Sequence, residues 1–344
     1  MSFPGWTHTR ASKARLSKAY ARSTSAPNGT NPAARTARRG GTAFLGVHNA
    51  RKETVVPDTF EPTNDSRDRI RLARELAGRC PAELGEDIAV TGSAARGLAD
   101  RASDVEIICW LPEVPDVESR SRWLARTGAT SIKAYDWEDF DGTSWITCNY
   151  QETWVEIGWN APDRIDAIVD DLLAARRSGH DSLQIASMLC AAEPLRTAGR
   201  LAGWQERLAR YPPGLQSLVI ARNTEVWSDL HVPMVRWTLA ARRSLFPLTL
   251  RLTWDMQNVW AILHAINERW EPDYKWTSSQ ALDLPLIPDK FSVRLNSVFM
   301  LDDTERSVGA AFELILDTLA LVPPPHDVSA ARVSIDRAQR RSGP

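Results

Sequence analysis

Residues 87–110 read DIAVTGSAARGLADRASDVEIICW, and this stretch decides the fold. A short apolar run ends in Gly92-Ser93, ten residues follow that predict a small helix and a turn, and a second apolar run opens with Asp104-x-Glu106. Side chains two apart on a strand point to the same face, so the two carboxylates can converge on one hard cation while the apolar residues enter the core. The stretch therefore predicts a strand, helix and strand that carry a cation site.

The Gly-Ser turn predicts an anion site beside these carboxylates. Gly92 has no Cβ and lets the backbone approach a ligand closely, and Ser93 offers a hydroxyl. The first N–H groups of the following helix favour an anion. A cation site on one side and a phosphate site on the other predict binding of a nucleoside triphosphate.

A third carboxylate lies on a later predicted strand, residues 153–159, which read TWVEIGW. Alternation puts Val155 and Ile157 on one face and Glu156 on the other, so a carboxylate emerges from an otherwise apolar strand. Burying this charge without a partner would be costly, so a metal or a proton-transfer role explains it.

Each of these fragments alone has a plainer interpretation. Gly-Ser before a helix is most often a turn with an N-cap, and Asp-x-Glu at the start of a strand is most often solvated. The presence of all three in this order and spacing favours the nucleotide site.

The same residues resemble a known signature. The pattern consists of Gly92-Ser93, ten residues that include Arg96, and Asp104-x-Glu106. It resembles the motif of the DNA polymerase β-type nucleotidyltransferase superfamily. Within that superfamily it is most similar to the bacterial kanamycin and streptomycin (aminoglycoside) nucleotidyltransferases and to the minimal nucleotidyltransferases. Those proteins more often carry Asp-x-Asp, and Glu106 lengthens the arm by one methylene. The resemblance implies that two Mg²⁺ ions are held by Asp104, Glu106 and Glu156.

The resemblance also implies an activity, the transfer of a nucleoside monophosphate, AMP from ATP, to an acceptor hydroxyl with release of pyrophosphate. Glu156 would either complete the ligands of the second metal or accept the hydroxyl proton. The triphosphate would be bound by Gly92, Ser93, Arg96 and Lys275. Arg96 has a structural alternative, an ion pair with Asp100 or Glu106, and Lys275 has another, exposure to solvent.

The acceptor is the least constrained part of this prediction. Residues 1–52 carry ten Lys or Arg and no acidic residue, so the other 292 residues hold 32 basic against 43 acidic side chains. An acidic body suits a small cationic acceptor such as an aminoglycoside. Two alternatives remain open, namely nucleotidylation of a protein or a tRNA, for which the basic arm would help to dock RNA, and a catalytically inactive nucleotide- or partner-binding module.

The predicted fold is α/β (α+β). A disordered basic arm, residues 1–58, precedes a nucleotidyltransferase domain with a small mixed sheet, residues 59–161. A helical acceptor-binding domain, residues 162–322, and a flexible tail, residues 323–344, follow. Within the helical part, residues 193–276 resemble the helical half of a bacterial nucleotidyltransferase family of unknown substrate, and residues 252–270 predict a buried central helix.

Composition sets the cellular context. The chain is 43% hydrophobic and 25% charged, as in globular proteins, and it has no apolar run near the roughly 18 residues that span a bilayer. The four cysteines lack ligand spacing and predict free thiols in a reducing compartment. We therefore expect a cytoplasmic protein with no membrane partner, while the oligomeric state stays open.

Overall fold

The computed structural model describes residues 61–139 and 141–340. The predicted disordered arm, residues 1–58, lies outside the described residues. The strands are β1 Asp87–Val90, β2 Val105–Trp110, β3 Thr130–Glu138, β4 Ser144–Tyr150, β5 Thr153–Asn160 and β6 Glu193–Arg196. The helices are α1 Asn64–Gly78, α2 Gly92–Ala95, α3 Val117–Arg126, α4 Pro162–Leu173, α5 His180–Ala191, α6 Arg200–Leu208, α7 Pro213–Ser228, α8 His231–Ala241, α9 Leu245–Ile266, α10 Thr277–Gln280, α11 Phe291–Val298, α12 Thr304–Leu321 and α13 Ser329–Arg340.

The six strands form one mixed sheet in the order β3-β4-β5-β2-β1-β6. Strands β2 and β5 run parallel, and the other neighbouring pairs run antiparallel. The predicted α/β arrangement, a small mixed sheet followed by helices, is confirmed. Strand β6 was not predicted. It contains Pro194 and sits at the edge of the sheet, where a missing N–H is tolerated.

Both faces of the sheet are covered, although helices were predicted on one side only. On one face, alternate residues such as Val105 and Ile107 pack in a core with α1 and α3. On the other face, Ile108 and Trp110 join the core of the helices that follow β5. Trp110 and Trp204 of α6 meet edge to face, with ring centroids 5.2 Å apart. Glu106 lies on this second face, because it alternates with Val105 and Ile107.

The helical part is built around α9, which begins seven residues before the predicted Leu252 and ends at Ile266 rather than Trp270. Pro247 lies in the first turn of α9, where its missing N–H breaks no intrahelical bond, so it does not stop the helix. The carboxylate of Asp255 is buried in this helix and accepts hydrogen bonds from Arg236 of α8 and Trp227 of α7. One buried carboxylate thus joins three helices.

The last helix, α13, lies in the segment that was predicted to be a flexible tail. Its buried side chains include Ala331, Ile335 and Ala338. The indole of Trp237 in α8 donates a 2.9 Å hydrogen bond to the carbonyl of Ala338. The segment is ordered because these small and apolar residues recur at helical spacing and fit against α7 and α8. None of the helices in the described part of the chain combines the length and the apolar character of a membrane-spanning segment.

Candidate active site

Three of the predicted site residues come together on the second face of the sheet. Glu106 of β2 and Glu156 of β5 are direct neighbours in the parallel ladder, and Asp104 stands two residues before Glu106 on the same side. One carboxylate oxygen from each of the three lies within 4.8 Å of the other two. The sequence spacing and the strand register together produce this cluster.

Gly92 packs directly on the cluster. It follows β1 with a φ of +64°, a conformation that glycine adopts at little cost. A Cβ at this position would lie 1.9 Å from Glu106 Oε2. The absence of a side chain at residue 92 therefore leaves the space that the Glu106 carboxylate occupies.

The electrostatics of the cluster penalise the ionised form of Asp104. Burial, followed by the negative charge of Glu106, raises the pKa of Asp104 to about 6. The negative charge of Glu156 contributes to the same increase, and the ammonium of Lys275 opposes it. Like charges held this close favour the protonated acid, whereas a bound cation favours all three carboxylates in the ionised form.

Lys275 reaches the cluster from the helical part of the chain. Its Nζ lies 3.6 Å from Glu106 Oε1, and its side chain is 54% exposed. The structure thus places this predicted triphosphate ligand at the carboxylates, with much of its surface open to solvent.

The other two predicted phosphate ligands are Ser93, on α2, and Arg96, which directly follows it. Ser93 is the second residue of this short helix and is half-buried. Arg96 follows the helix, and its Nη2 donates a 3.0 Å hydrogen bond to Ser187 Oγ of α5. Burial lowers the pKa of Arg96, and the nearby carboxylate of Asp273 opposes that shift. Arg96 links the sheet to the helical part, and its phosphate role stays a prediction.

Two further side chains border Glu156. Trp154, two residues earlier on β5 and 41% exposed, donates its indole N–H to Glu156 Oε1 at 3.4 Å. Thr147 of β4 is the neighbour of Glu156 in the antiparallel ladder, and its buried Oγ1 has no hydrogen-bond partner among the described residues. The strand alternation that identified Glu156 also identifies Trp154, but the register that brings Thr147 beside it is not visible in the sequence.

The cluster suits a hard divalent cation. All three donors are carboxylate oxygens, which Mg²⁺ prefers, and an Mg–O distance of about 2.1 Å separates two oxygens on one ion by at most about 4.2 Å. The carboxylate oxygens, which lie up to 4.8 Å apart, would therefore have to move together by less than an ångström to bind one ion. Asp104, Glu106 and Glu156 would hold the ion.

The contacts of Glu271, four residues before Lys275, were not predicted from the sequence. His180 at the start of α5 and Tyr274 both hydrogen-bond to the buried carboxylate of Glu271. His180 and Glu271 are 91 positions apart in the chain, so no local pattern relates them.

Comparisons with known proteins give little further information. No protein-family profile matches the chain, and no curated protein matches it. Among solved structures, the chain is similar to a nucleotidyltransferase-like protein from Exiguobacterium sibiricum. The two share 9% sequence identity over 79% of this chain and 77% of the other, with a TM-score of 0.34. A TM-score of this size does not establish a common fold.

Proposed function

We propose that this protein is a magnesium-dependent nucleotidyltransferase that moves a nucleoside monophosphate, AMP from ATP, to a hydroxyl group of a small acceptor. The observation that carries the proposal is the cluster of three carboxylates in contact with Gly92. Carboxylates arranged in this way serve phosphoryl and nucleotidyl transfer, in which most of the catalytic effect comes from positioning and charge neutralisation.

Magnesium bound at the carboxylates would neutralise triphosphate charge and lower the pKa of the acceptor hydroxyl. The residues of the chain have separate tasks. Lys275, whose half-exposed side chain lies beside Glu106, attracts the triphosphate, and the hydroxyl of Ser93 offers the phosphates a hydrogen bond. Gly92 makes room for the carboxylate of Glu106. Glu156 either completes the ligand set or accepts the proton of the hydroxyl.

The transfer exchanges one phosphorus–oxygen bond at the α-phosphate for another. The acceptor oxygen forms a bond to the α-phosphorus while the bond from that phosphorus to the bridging oxygen of the pyrophosphate breaks. The hydroxyl proton leaves to a base, for which Glu156 is the candidate, and pyrophosphate is released.

For the acceptor, we propose a small cationic molecule such as an aminoglycoside. Acidic side chains outnumber basic ones outside the first 52 residues, and an excess of negative charge raises the local concentration of cations.

Pyrophosphate release tests the proposal. The full-length protein is incubated with Mg²⁺, each of the four ribonucleoside triphosphates and a panel of hydroxyl acceptors, including aminoglycosides, a protein extract and tRNA. We expect release with ATP and a small cationic acceptor, and loss of release in Asp104→Ala. Release that persists in Asp104→Ala, or that never occurs with any pairing, would contradict the proposal.

A further inference from the structure

A buried carboxylate organises the segment that carries Lys275. Glu271, with 1% of its side chain exposed, accepts hydrogen bonds from His180 Nδ1 at 2.9 and 3.1 Å. The hydroxyl of Tyr274 donates to the same carboxylate at 3.0 Å. His180 is the first residue of α5, so these bonds fasten the segment between α9 and α10 to another helix.

This segment, residues 267–276, lies between two helices and is held largely by side chains. The indole of Trp270 donates to the carbonyl of Leu208 at 2.9 Å, and the amide of Lys275 donates to Asp273 Oδ1 at 2.9 Å. Lys275 directly follows Tyr274, and its Nζ lies 3.6 Å from Glu106 Oε1. The place of the ammonium at the carboxylates thus depends on how firmly Glu271 and Tyr274 are fixed.

The charge of His180 contributes to this fastening. Burial lowers the pKa of His180, but the charge and the hydrogen bond of Glu271 outweigh it, and the net pKa is raised. The charge of Arg222 in α7 also lowers the pKa of His180, while the charge of Asp181, the next residue of α5, raises it. Tyr274 contacts the ring edge to face at 6.5 Å. A raised pKa means that the ion pair is present at lower pH and is lost as pH rises through that value.

We propose that His180 is a positioning residue, whose ion pair with Glu271 fixes residues 270–276 and so holds Lys275 at the carboxylate cluster to receive the triphosphate of the nucleotide. The proposal rests on the role of Lys275 in the proposed function. His180 itself touches neither substrate nor metal. It acts through Glu271, Tyr274 and the backbone that leads to Lys275.

Steady-state kinetics of His180→Gln test the proposal, with His231→Gln as matched control because His231 is exposed on α8. At pH 6.5 we expect the KM for the nucleotide to rise about 3- to 30-fold in His180→Gln, with a much smaller change in kcat. In the wild type the KM should rise as pH rises through the raised pKa of His180, whereas in His180→Gln it should not depend on pH in this way. A fall in kcat at unchanged KM would overturn the proposal.

A double-mutant cycle with Lys275→Ala separates positioning from general destabilisation. If His180 acts through Lys275, His180→Gln has no further effect on the KM in the Lys275→Ala background. An equal effect in both backgrounds would overturn the proposal. Tyr274→Phe, which removes only the hydroxyl that donates to Glu271, should shift the KM in the same direction by a smaller factor.

Hydrogen exchange gives a readout that does not depend on activity. Amides of residues 270–276 should exchange faster in His180→Gln than in the wild type or in His231→Gln. In the wild type, the protection of these amides, corrected for the intrinsic pH dependence of exchange, should weaken as pH rises through the raised pKa of His180. Unchanged exchange would overturn the proposal even if the enzyme is active. If the protein transfers no nucleotide, the proposed function fails, and the exchange result alone decides whether His180 fastens the segment.

Discussion

At the scale of single residues, the carboxylate of Glu106 lies so close to the α-carbon of Gly92 that residue 92 has no room for a Cβ. We expect Gly92→Ala to displace Glu106 by about an ångström, and a displacement of this size in a catalytic site lowers activity by about 100-fold. Nucleotidyl transfer and Mg²⁺ affinity, measured by titration calorimetry, should both fall while the circular dichroism spectrum is kept.

The control for this substitution is Gly203→Ala in α6, where an added Cβ meets nothing within 4 Å. It should leave activity unchanged and raise the free energy of unfolding by about 0.5–1 kcal/mol, the difference in helix propensity. Wild-type activity in Gly92→Ala would contradict the assigned geometry.

The raised pKa of Asp104 predicts how the free energy of unfolding depends on pH. Its pKa of about 6 lies above that of an unfolded carboxyl, so the folded state favours the protonated form and loses stability as pH rises through that interval. Asp104→Asn should therefore raise the free energy of unfolding in EDTA by about 1–2 kcal/mol at pH 7.5, a value discounted for partial exposure. Near pH 4 the two proteins should be equally stable.

Urea denaturation measures this difference in the free energy of unfolding. The same measurement with Mg²⁺ added tests whether the ion reverses it. Bound ion should stabilise the wild type and should stabilise Asp104→Asn much less. If Asp104→Asn instead lowers the stability of the metal-free protein at pH 7.5, the raised pKa of Asp104 is contradicted.

At the scale of helices and strands, Asp255 links α7, α8 and α9. Its carboxylate and the guanidinium of Arg236 are 1% and 2% exposed, so Asp255→Asn leaves a buried charge without its partner. We expect a loss of about 3–5 kcal/mol in the free energy of unfolding, measured by urea denaturation.

Asp166 provides a close match for comparison. It also accepts hydrogen bonds from a tryptophan, Trp204, and an arginine, Arg207, but its side chain is 44% exposed. Asp166→Asn should cost about 1 kcal/mol or less, because solvent screens an exposed pair. Equal losses in the two variants would mean that burial does not set the strength of these contacts.

An element could be predicted from the sequence when its pattern of apolar residues lies within a few neighbouring positions. Strands β4 and β5 and the long helices were predicted because alternation and helical spacing lie within a few residues. Strand β6 was missed because four residues with a proline give no periodicity, and it exists only by pairing with β1. Likewise, the spacing predicted Asp104 and Glu106 as a pair, whereas the contact of His180 with Glu271 depends on tertiary packing.

At the scale of the whole molecule, charge is divided unevenly along the chain. All ten basic residues of positions 1–52 lie outside the described residues, and the rest of the chain is acidic. We expect removal of residues 1–52 to leave kcat/KM for a small acceptor within about twofold, since a small ligand needs no extended basic surface.

The measurement is kcat/KM at several salt concentrations, for full-length and shortened protein. With tRNA as acceptor, the shortened protein should instead lose activity and show a flatter salt dependence, because released counterions dominate nucleic-acid binding. That second result would show that the acceptor is RNA and not a small molecule, and it would leave the proposed chemistry of the carboxylates unchanged.

The register between β2 and β5 has a consequence for ligand binding. Because Glu106 and Glu156 are direct partners across a parallel ladder, backbone hydrogen bonds fix the separation of their α-carbons. Mobile loops do not set this distance. The two carboxylates are thus preorganised, and capture of an ion requires only rotation about side-chain bonds. Little conformational entropy is lost in that step, so the strength of ion binding depends mainly on charge and dehydration.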